Sequence, residues 1–271
     1  MKRILITGAN SYIGTSFERY IKENYPDEYL IDTVDMIDGS WREKSFSGYD
    51  SVFHVAGIAH QKETKENAHL YYEVNRDLAI ETAKKAKVDG VLQFVFLSSM
   101  SVYGMETGVI TKDTLPNPKT YYGKSKREAE QGLSSLTSDD FRVCILRPPM
   151  VYGKGCKGNY QNLVKIAAKV PVFPDYRNQR SMISIENLTE YVRKVIDSVL
   201  EGTYMPQNAE YVCTSDMVAQ IALEQGKRIR LTKVFNPLVW LLAKVSLKGR
   251  KAFGSLIYQD IAAFERCGLF E

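Results

Sequence analysis

The feature that most constrains this chain is the alternation of short apolar runs with helical stretches over residues 1–150. The apolar runs are rich in Val, Ile, Leu and Phe with little polar alternation, which is typical of strands covered on both faces of a parallel sheet. Strands and helices in this order predict an α/β fold with a doubly wound parallel sheet. The predicted strands are Arg3–Thr7, Tyr29–Asp35, Ser51–Ala56, Leu92–Ser98 and Phe141–Leu146, and the predicted helices are Tyr12–Tyr25, Ala68–Lys87 and Tyr121–Leu136.

The alternation ends near Gly153, where a glycine-rich basic loop begins. Beyond it the pattern predicts further short elements, of which a strand and helix over residues 181–200 are expected to pack back onto the main sheet. These elements are the helix Tyr160–Lys169, the strand Ser181–Ile185, the helix Glu186–Leu200 and a helix Met217–Gln225 capped from Thr214–Asp216. We therefore assign residues 1–152 and 181–203 to a dinucleotide-binding domain and residues 153–180 and 204–271 to a smaller substrate-binding lobe.

The composition excludes several classes of function. The 36 Lys and Arg residues against 32 Asp and Glu give a net charge of +4 with no block of like charges, so nucleic acid is not an expected partner. The four cysteines form no CxxC pair, so we expect reduced thiols and no metal site. The first apolar run is too short for a signal peptide and no run is long enough to span a membrane, so a cytoplasmic protein is expected.

The turn between the first strand and the first helix has the character of a phosphate-binding loop. Gly8 allows a tight turn, Gly14 allows the helix to pack close to the sheet, and the helix N-terminus can receive a pyrophosphate. Ser11 stands where the usual pattern has its central glycine. Asp35 has the spacing expected for a carboxylate that binds the adenosine ribose, which favours NAD, while the nearby Arg42 leaves NADP as an alternative.

A tyrosine and a lysine lie one helical turn apart in the third predicted helix. Tyr122 and Lys126 are at positions i and i+4 and therefore project from one face. A cation close to a phenol lowers its pKa, so we expect Lys126 to bring Tyr122 toward general acid–base work near neutral pH. Ser99 follows the fourth strand, where the carboxyl ends of parallel strands face a ligand crevice. We expect its hydroxyl to bind the reacting oxygen, whereas Ser101 is explained by turn chemistry alone.

Together these pieces resemble the extended short-chain dehydrogenase/reductase family, in particular its nucleotide-sugar epimerases and dehydratases. The resemblance covers about residues 3–200 in the family's order, and it implies the dinucleotide-binding fold known as the Rossmann fold. The matching pieces are TGANSYIG at 7–14, Asp35, HVAG at 54–57, Asn75 in a Val-Asn pair, FVFLSSMSVYG at 94–104, YGKSKREAE at 122–130 and LRPPMVYG at 146–153.

The resemblance implies a role for each matching residue. Ser99, Tyr122 and Lys126 correspond to the family's catalytic group, and Lys126 also to the residue that holds the nicotinamide ribose. Ser99 and Tyr122, together with Asn159 and Arg180, correspond to residues that contact the sugar nucleotide, with Arg180 pairing with its diphosphate. The implied cofactor-binding residues are Gly8, Ser11, Tyr12, Ile13, Gly14, Asp35, Ala56, Gly57, Ile58, Asn75, Tyr122 and Lys126.

The activity implied by the resemblance is NAD-dependent 4-epimerisation of a UDP-sugar, such as UDP-glucose or UDP-N-acetylglucosamine, through a transient 4-keto intermediate. The alternative is an NAD(P)H-dependent 4-ketoreductase that makes a deoxysugar, and a non-enzymatic dinucleotide sensor is a third interpretation. A dehydratase is disfavoured because Met100 and Ser101 stand where that chemistry usually has an Asp-Glu pair. The family often has an asparagine after the arginine of the fifth strand, whereas Pro148-Pro149-Met150 follows Arg147 here, and the chain is short for the family. Polysaccharide synthesis is the expected setting.

Two further features permit more than one interpretation. His60 follows the third strand and is interpreted as a solvated loop residue, with an active-site position as the alternative. The segment 234–251 combines a run of large apolar residues with flanking lysines and an arginine. We interpret it as a helix that buries its apolar face in the lobe or in a homodimer, and the alternative is a helix at an anionic membrane surface.

Overall fold

The computed structural model describes residues 1–59 and 61–259, so the interpretation of His60 lies outside the described residues. The strands are β1 (Lys2–Thr7), β2 (Tyr29–Val34), β3 (Ser51–His54), β4 (Gln93–Leu97), β5 (Gly108–Ile110), β6 (Arg142–Leu146), β7 (Met150–Tyr152), β8 (Val172–Pro174), β9 (Met182–Ser184), β10 (Gly202–Tyr204), β11 (Arg230–Thr232) and β12 (Leu256–Tyr258). The helices are α1 (Tyr12–Asn24), α2 (Ala68–Tyr72), α3 (Leu78–Val88), α4 (Tyr121–Ser134), α5 (Asn159–Lys169), α6 (Ile185–Asp197), α7 (Thr214–Glu224), α8 (Asn236–Val245) and α9 (Leu247–Phe253).

The main sheet has six strands in the order β2-β1-β3-β4-β6-β10, and every neighbouring pair is parallel. The predicted α/β fold with a doubly wound parallel sheet is therefore confirmed. Because the strands are parallel, their carboxyl ends meet at one edge of the sheet, and the strand order reverses between β1 and β3. Ligands of such sheets bind at this edge.

An apolar core lies on each face of the sheet, which explains why its strands are apolar throughout. On one face Ala83 of α3 and Leu133 of α4 pack against strand residues such as Phe94. On the other face Phe17 of α1 and Val192 of α6 pack against the opposite side of the same strands. Residues 185–197 thus return to the main sheet as predicted, in the form of helix α6.

The later segments build a third core of their own. This core contains Tyr160 and Ala167 of α5, Phe173 of β8 and Val218 of α7. Strand β9 pairs with β7 rather than with the main sheet. The division into residues 1–152 with 181–203 and residues 153–180 with 204–271 stays a prediction, and residues 260–271 lie outside the described part.

Two helices differ from their predicted form. The single helix predicted for Ala68–Lys87 contains a π-helical turn over Glu73–Asp77 between α2 and α3, and a hydrophobic pattern alone does not reveal an extra residue in one turn. Helix α7 begins at Thr214, three residues before the predicted start, and has no side-chain N-cap. The Thr214 hydroxyl instead donates to the carbonyl of Ala252, so it is not free to cap the helix.

Helices α8 and α9 contradict the expectation that segment 234–251 buries its apolar face within the lobe. Val239 is the one fully buried residue of α8, whereas Leu238, Trp240 and Leu241 are each about half exposed. The inward side of α8 is narrow: besides the buried Val239, only Asn236 and Ala243 are half-buried, and Asn236 donates a hydrogen bond to Asp175 O at 2.9 Å. Within the described residues, none of the helices has both the length and the apolar character needed to cross a membrane.

Candidate active site

The loop between β1 and α1 has the geometry expected of a phosphate-binding turn. Gly8 has a φ of 109°, and a Cβ at this position would lie 2.8 Å from the backbone nitrogen of Ala56. A Cβ at Gly14 would lie about 3 Å from Ile6 and Val55, so glycine lets α1 approach the sheet. Ser11 is the N-cap of α1, since its hydroxyl accepts a hydrogen bond from Gly14 N at 3.2 Å. This capping explains why a serine fits where a glycine is usual.

Asp35 and Arg42 lie beyond the end of β2 and bear on the choice of cofactor. Asp35 is exposed, and one of its carboxylate oxygens accepts a hydrogen bond from Ile37 N at 2.9 Å. Arg42 forms a two-pronged ion pair with Glu81 and stacks on the Trp41 ring at 4.7 Å. The guanidinium is therefore already engaged by a carboxylate, while Asp35 presents negative charge to solvent.

Asn75 reaches the loop that follows β3 from the π-helical turn. Its amide accepts a hydrogen bond from Ile58 N at 2.9 Å, donates to Ile58 O at 3.1 Å, and donates to the Ser125 hydroxyl at 3.2 Å. A Cβ at Gly57 would lie 2.8 Å from the Asn75 side-chain oxygen and 3.4 Å from Lys126 Nζ. The structure thus brings Gly57, Ile58, Asn75 and Lys126 together at one place on the sheet edge.

Ser99 and Tyr122 meet at the carboxyl end of β4. The Ser99 hydroxyl lies close enough to the Tyr122 phenol to lower its pKa, but burial has the larger effect and raises that pKa overall. The expected lowering by Lys126 is therefore wrong for the protein without cofactor. Ser99 also accepts a hydrogen bond from Ser101 N at 3.1 Å, so it serves both as a turn cap and as a partner of the phenol.

Lys126 does not lower the pKa of Tyr122 as expected because of the surroundings of its own side chain. Its ammonium donates to Leu97 O at 2.8 Å and lies 4.5 Å from the centre of the Phe96 ring. Burial lowers the pKa of Lys126 to about 7, and the negative charge of Glu130 opposes this only in part. Near neutral pH the side chain therefore carries only part of a positive charge with which to stabilise a phenolate.

Glu63 is a site residue that the sequence did not indicate. Its two carboxylate oxygens accept hydrogen bonds from Tyr121 N at 2.8 Å and Tyr122 N at 3.0 Å, at the first turn of α4. Thr120 adds a side-chain cap to Gly123 N. Carboxylates bind well at helix N-termini because unpaired N–H groups and the helix dipole are there. A sequence separation of 58 residues gives no local signal for this contact.

A buried ion pair fixes the rest of α4. Glu130 and Arg147 are almost fully buried and make two hydrogen bonds, of 2.8 and 2.6 Å. Glu130 also accepts from the Ser98 hydroxyl at 2.6 Å, and Arg147 donates to the Tyr103 hydroxyl at 2.8 Å. The pair therefore joins the helix of Tyr122 and Lys126 to the ends of β4 and β6.

The two predicted substrate residues outside this group occupy the later segments. Asn159 is the exposed first residue of α5. Arg180 precedes β9, as predicted, and donates a hydrogen bond to Gly254 O at 2.9 Å. In the part of the chain that the structure describes, no hydrogen bond or ion pair joins either residue to Tyr122. Their roles toward a substrate stay predictions.

The chain has a six-stranded parallel sheet with a glycine loop at its first turn, and Ser99, Tyr122 and Lys126 lie at the same edge. These features define the class of dinucleotide-binding proteins of the short-chain dehydrogenase type. Within this class the chain belongs to the NAD dependent epimerase/dehydratase family, which matches residues 4–204. This is an enzyme family of NAD(P)-dependent nucleotide-sugar epimerases, dehydratases and reductases.

Three similar proteins illustrate the range of the family. A UDP-glucose 4-epimerase of Vibrio cholerae is 32% identical over 252 residues, covering 83% of this chain and 76% of that protein. An N-acetyl-alpha-D-glucosaminyl-diphospho-ditrans,octacis-undecaprenol 4-epimerase of Escherichia coli O157:H7 is 24% identical, covering 87% and 76%. The crystal structure of a dTDP-4-dehydrorhamnose reductase of Bacillus anthracis in complex with NADP shares the fold, with a TM-score of 0.74, 21% identity and coverage of 99% and 93%.

Proposed function

We propose that this protein catalyses the NAD-dependent 4-epimerisation of a UDP-sugar through a transient 4-keto intermediate. The observation that carries the proposal is that Ser99, Tyr122 and Lys126 converge at the carboxyl end of β4, where the Ser99 hydroxyl influences the Tyr122 phenol and Lys126 Nζ donates to Leu97 O at 2.8 Å. The similarity to a UDP-glucose 4-epimerase supports the choice of reaction.

The side chains have distinct tasks in this reaction. The Tyr122 phenolate takes the proton of the C4 hydroxyl, and the phenol formed in this step later returns that proton to the oxygen of the 4-keto sugar. Ser99 hydrogen-bonds the same oxygen and holds it against Tyr122. Lys126 stabilises the deprotonated phenol when it is charged, and its carbonyl partner at Leu97 fixes its position. General acid–base catalysis by such a positioned group contributes about 10²–10⁴-fold in rate.

The residues at the sheet edge fit a dinucleotide. The backbone N–H groups of the first turn of α1 suit a pyrophosphate, and the exposed Asp35 carboxylate suits the hydroxyls of an adenosine ribose. A side chain at Gly57 would collide with Asn75, so glycine is required at this point of the sheet edge. When bound, NAD supplies the acceptor and donor of the C4 hydride. We propose NAD rather than NADP because Arg42 is neutralised by Glu81.

The proposal is tested by cofactor content and by interconversion. Denatured extracts of the purified protein should contain NAD, and the protein should interconvert UDP-N-acetylglucosamine or UDP-glucose with its C4 epimer. Tyr122→Phe should lower the rate by about 10²-fold or more. Tyr121→Phe, on the same helical turn, is the matched control and should retain activity. Full activity of Tyr122→Phe would contradict the proposed role.

The same experiment distinguishes the 4-ketoreductase. A protein purified without cofactor that consumes added NADH or NADPH with a 4-keto sugar, and does not interconvert epimers, would be a reductase. Binding of NAD without either reaction would indicate the non-enzymatic sensor. The presence of Ser99, Tyr122 and Lys126 at one strand end disfavours a sensor, because binding alone does not require a general acid–base group there.

A second substrate class is a sugar joined through a diphosphate to a membrane lipid. The observation that favours it is the position of Arg180, which contacts Gly254 directly after α9. The predicted diphosphate residue thus contacts the residue that follows α9, the helix next in sequence to the exposed apolar helix α8. The similar protein of Escherichia coli carries a polyprenyl diphosphate sugar in its name.

The two substrate classes are separated by direct competition. Equal concentrations of UDP-N-acetylglucosamine and N-acetylglucosaminyl-diphospho-polyprenol in detergent micelles would be supplied to the same protein. Faster epimerisation of the lipid-linked sugar would favour the second class. Turnover of the UDP-sugar alone would exclude it.

A further inference from the structure

The outward side of α8 is more apolar than its inward side. A helix on the surface of a water-soluble protein usually presents polar residues outward. Here the surface formed by residues 233–251 carries exposed large apolar side chains, each between 41% and 79% exposed. These side chains are Val234, Phe235, Leu238, Trp240, Leu241, Leu242, Val245 and Leu247.

The same region carries only positive charge. Between Gln225 and Gln259 the sequence has eight Lys and Arg residues and no Asp or Glu. Lys244 and Lys248 are exposed beside the apolar side chains, and Lys244 Nζ lies 3.7 Å from the centre of the Trp240 ring. Lys251 pairs with an acidic residue that is distant in sequence, Glu106, at 3.5 Å.

We propose that the 233–251 surface docks this protein onto anionic phospholipid at a membrane surface. Exposed Leu and Val side chains would enter the boundary between headgroups and acyl chains, with the lysines at the level of the phosphates. Trp240 beside Lys244 suits that boundary, because an indole ring has an apolar body and a polar N–H group. Within the described residues the elements are too short to span a bilayer, so the contact is peripheral.

A second copy of the chain is the other occupant to consider. In a two-fold dimer the same surface patch meets itself. Such a contact would bring Lys244 and Lys248 of both copies together with no acidic residue from 225–259 to pair with them. An anionic lipid surface complements both the apolar and the charged part of the patch, so charge favours lipid.

Vesicle binding tests the proposal without any substrate. The full chain is mixed with vesicles of phosphatidylcholine alone, or with about one third phosphatidylglycerol, and bound protein is measured by sedimentation. Binding should be about tenfold or more stronger with phosphatidylglycerol and should weaken as salt is raised. Emission of Trp240 should shift to shorter wavelength, whereas Trp41 is buried and should not respond.

Matched variants distinguish vesicle binding through the 233–251 surface from nonspecific binding. Leu238→Glu with Leu241→Glu should lose vesicle binding and keep epimerase activity on a water-soluble UDP-sugar. The control, Val88→Glu with Leu115→Glu, changes two apolar residues elsewhere that are still more exposed, at 86% and 83%, and should bind as the wild type does. Equal binding by both double variants, or a concentration-dependent dimer that the first variant alone disrupts, would overturn the proposal. Because binding and activity are measured separately, the proposed reaction can fail while this inference stands.

Discussion

At the scale of single residues, the site depends on Tyr122 and Lys126, and burial destabilises the charged form of each side chain. Tyr122 and Lys126 both lie where burial favours the neutral form, which raises the pKa of the phenol and lowers that of the amine. Near pH 7 the phenol of the free protein is therefore neutral, and Lys126 carries only part of its positive charge. A positive charge on a bound nicotinamide would favour the phenolate, so binding and proton transfer are linked.

The buried amine makes stability depend on pH. The pKa of Lys126 is about 7 in the folded chain and near 10.5 when unfolded, so between these values the unfolded chain binds the additional proton. Stability should therefore rise with pH across this window. Without cofactor, Lys126→Met should be more stable than wild type by about 2–4 kcal/mol at pH 6. Urea unfolding measures this, and the difference should decline toward pH 10.5. A constant difference would contradict the assignment.

At the scale of elements, helix α4 is held at its first turn and beyond its middle, at Glu130. Glu63 binds its first turn, and the Glu130–Arg147 pair fixes its middle to the sheet. The helix carries Tyr122 and Lys126 between these two contacts. Their positions thus depend on residues that never touch a substrate.

Removing the carboxylate at the first turn should impair positioning more than binding. Glu63→Ala should lower kcat about tenfold with little change in KM, because misplaced reacting groups slow the chemical step. Glu63→Asp should recover part of the loss. Glu66→Ala, an exposed residue of the same loop, is the control and should have no effect. An equal effect on KM and kcat, or none, would show that Glu63 does not position Tyr122.

Breaking the buried pair should affect stability instead. Glu130→Gln leaves the guanidinium of Arg147 buried without its counter-charge, which should cost about 3–5 kcal/mol in the free energy of unfolding. Glu128 lies on the same helix as Glu130 and is an exposed ion-pair partner of Arg76. Glu128→Gln should lower the free energy of unfolding by less than about 1 kcal/mol. Chemical denaturation compares the two variants. Similar values for both would mean that the buried pair contributes no more than a surface one.

The π-helical turn shows where prediction of elements reaches its limit. The sequence indicated both the helix and the importance of Asn75, but not that the helix widens at Glu73–Asp77. Asn75 is fully buried, and its side chain forms hydrogen bonds with both the backbone N–H and the backbone carbonyl of Ile58. Hydrophobic periodicity records which residues face the core, and a single additional residue in one turn hardly alters it.

At the scale of the whole molecule, five of the six strands of the main sheet were predictable because each lies in an apolar run, whereas β10 (Gly202–Tyr204) has no such run and was not predicted. The position of Ser99 at the ligand-binding edge followed from its place directly after the fourth predicted strand, since the carboxyl ends of parallel strands share one edge. The contact of Glu63 with α4, the sign of the Tyr122 pKa shift and the exposure of α8 depend on distant packing. The cytoplasmic location, the homodimer and the setting in polysaccharide synthesis stay predictions.

In the proposed reaction, the C4 hydrogen of the sugar leaves and returns within one closed site. The most direct measurement is mass spectrometry of the product formed from UDP-N-acetylglucosamine that carries deuterium at C4. The account predicts a C4-epimerised product that keeps the deuterium, with no net change in NADH. Loss of the deuterium to solvent during epimerisation, or its transfer to free cofactor without epimerisation, would contradict it.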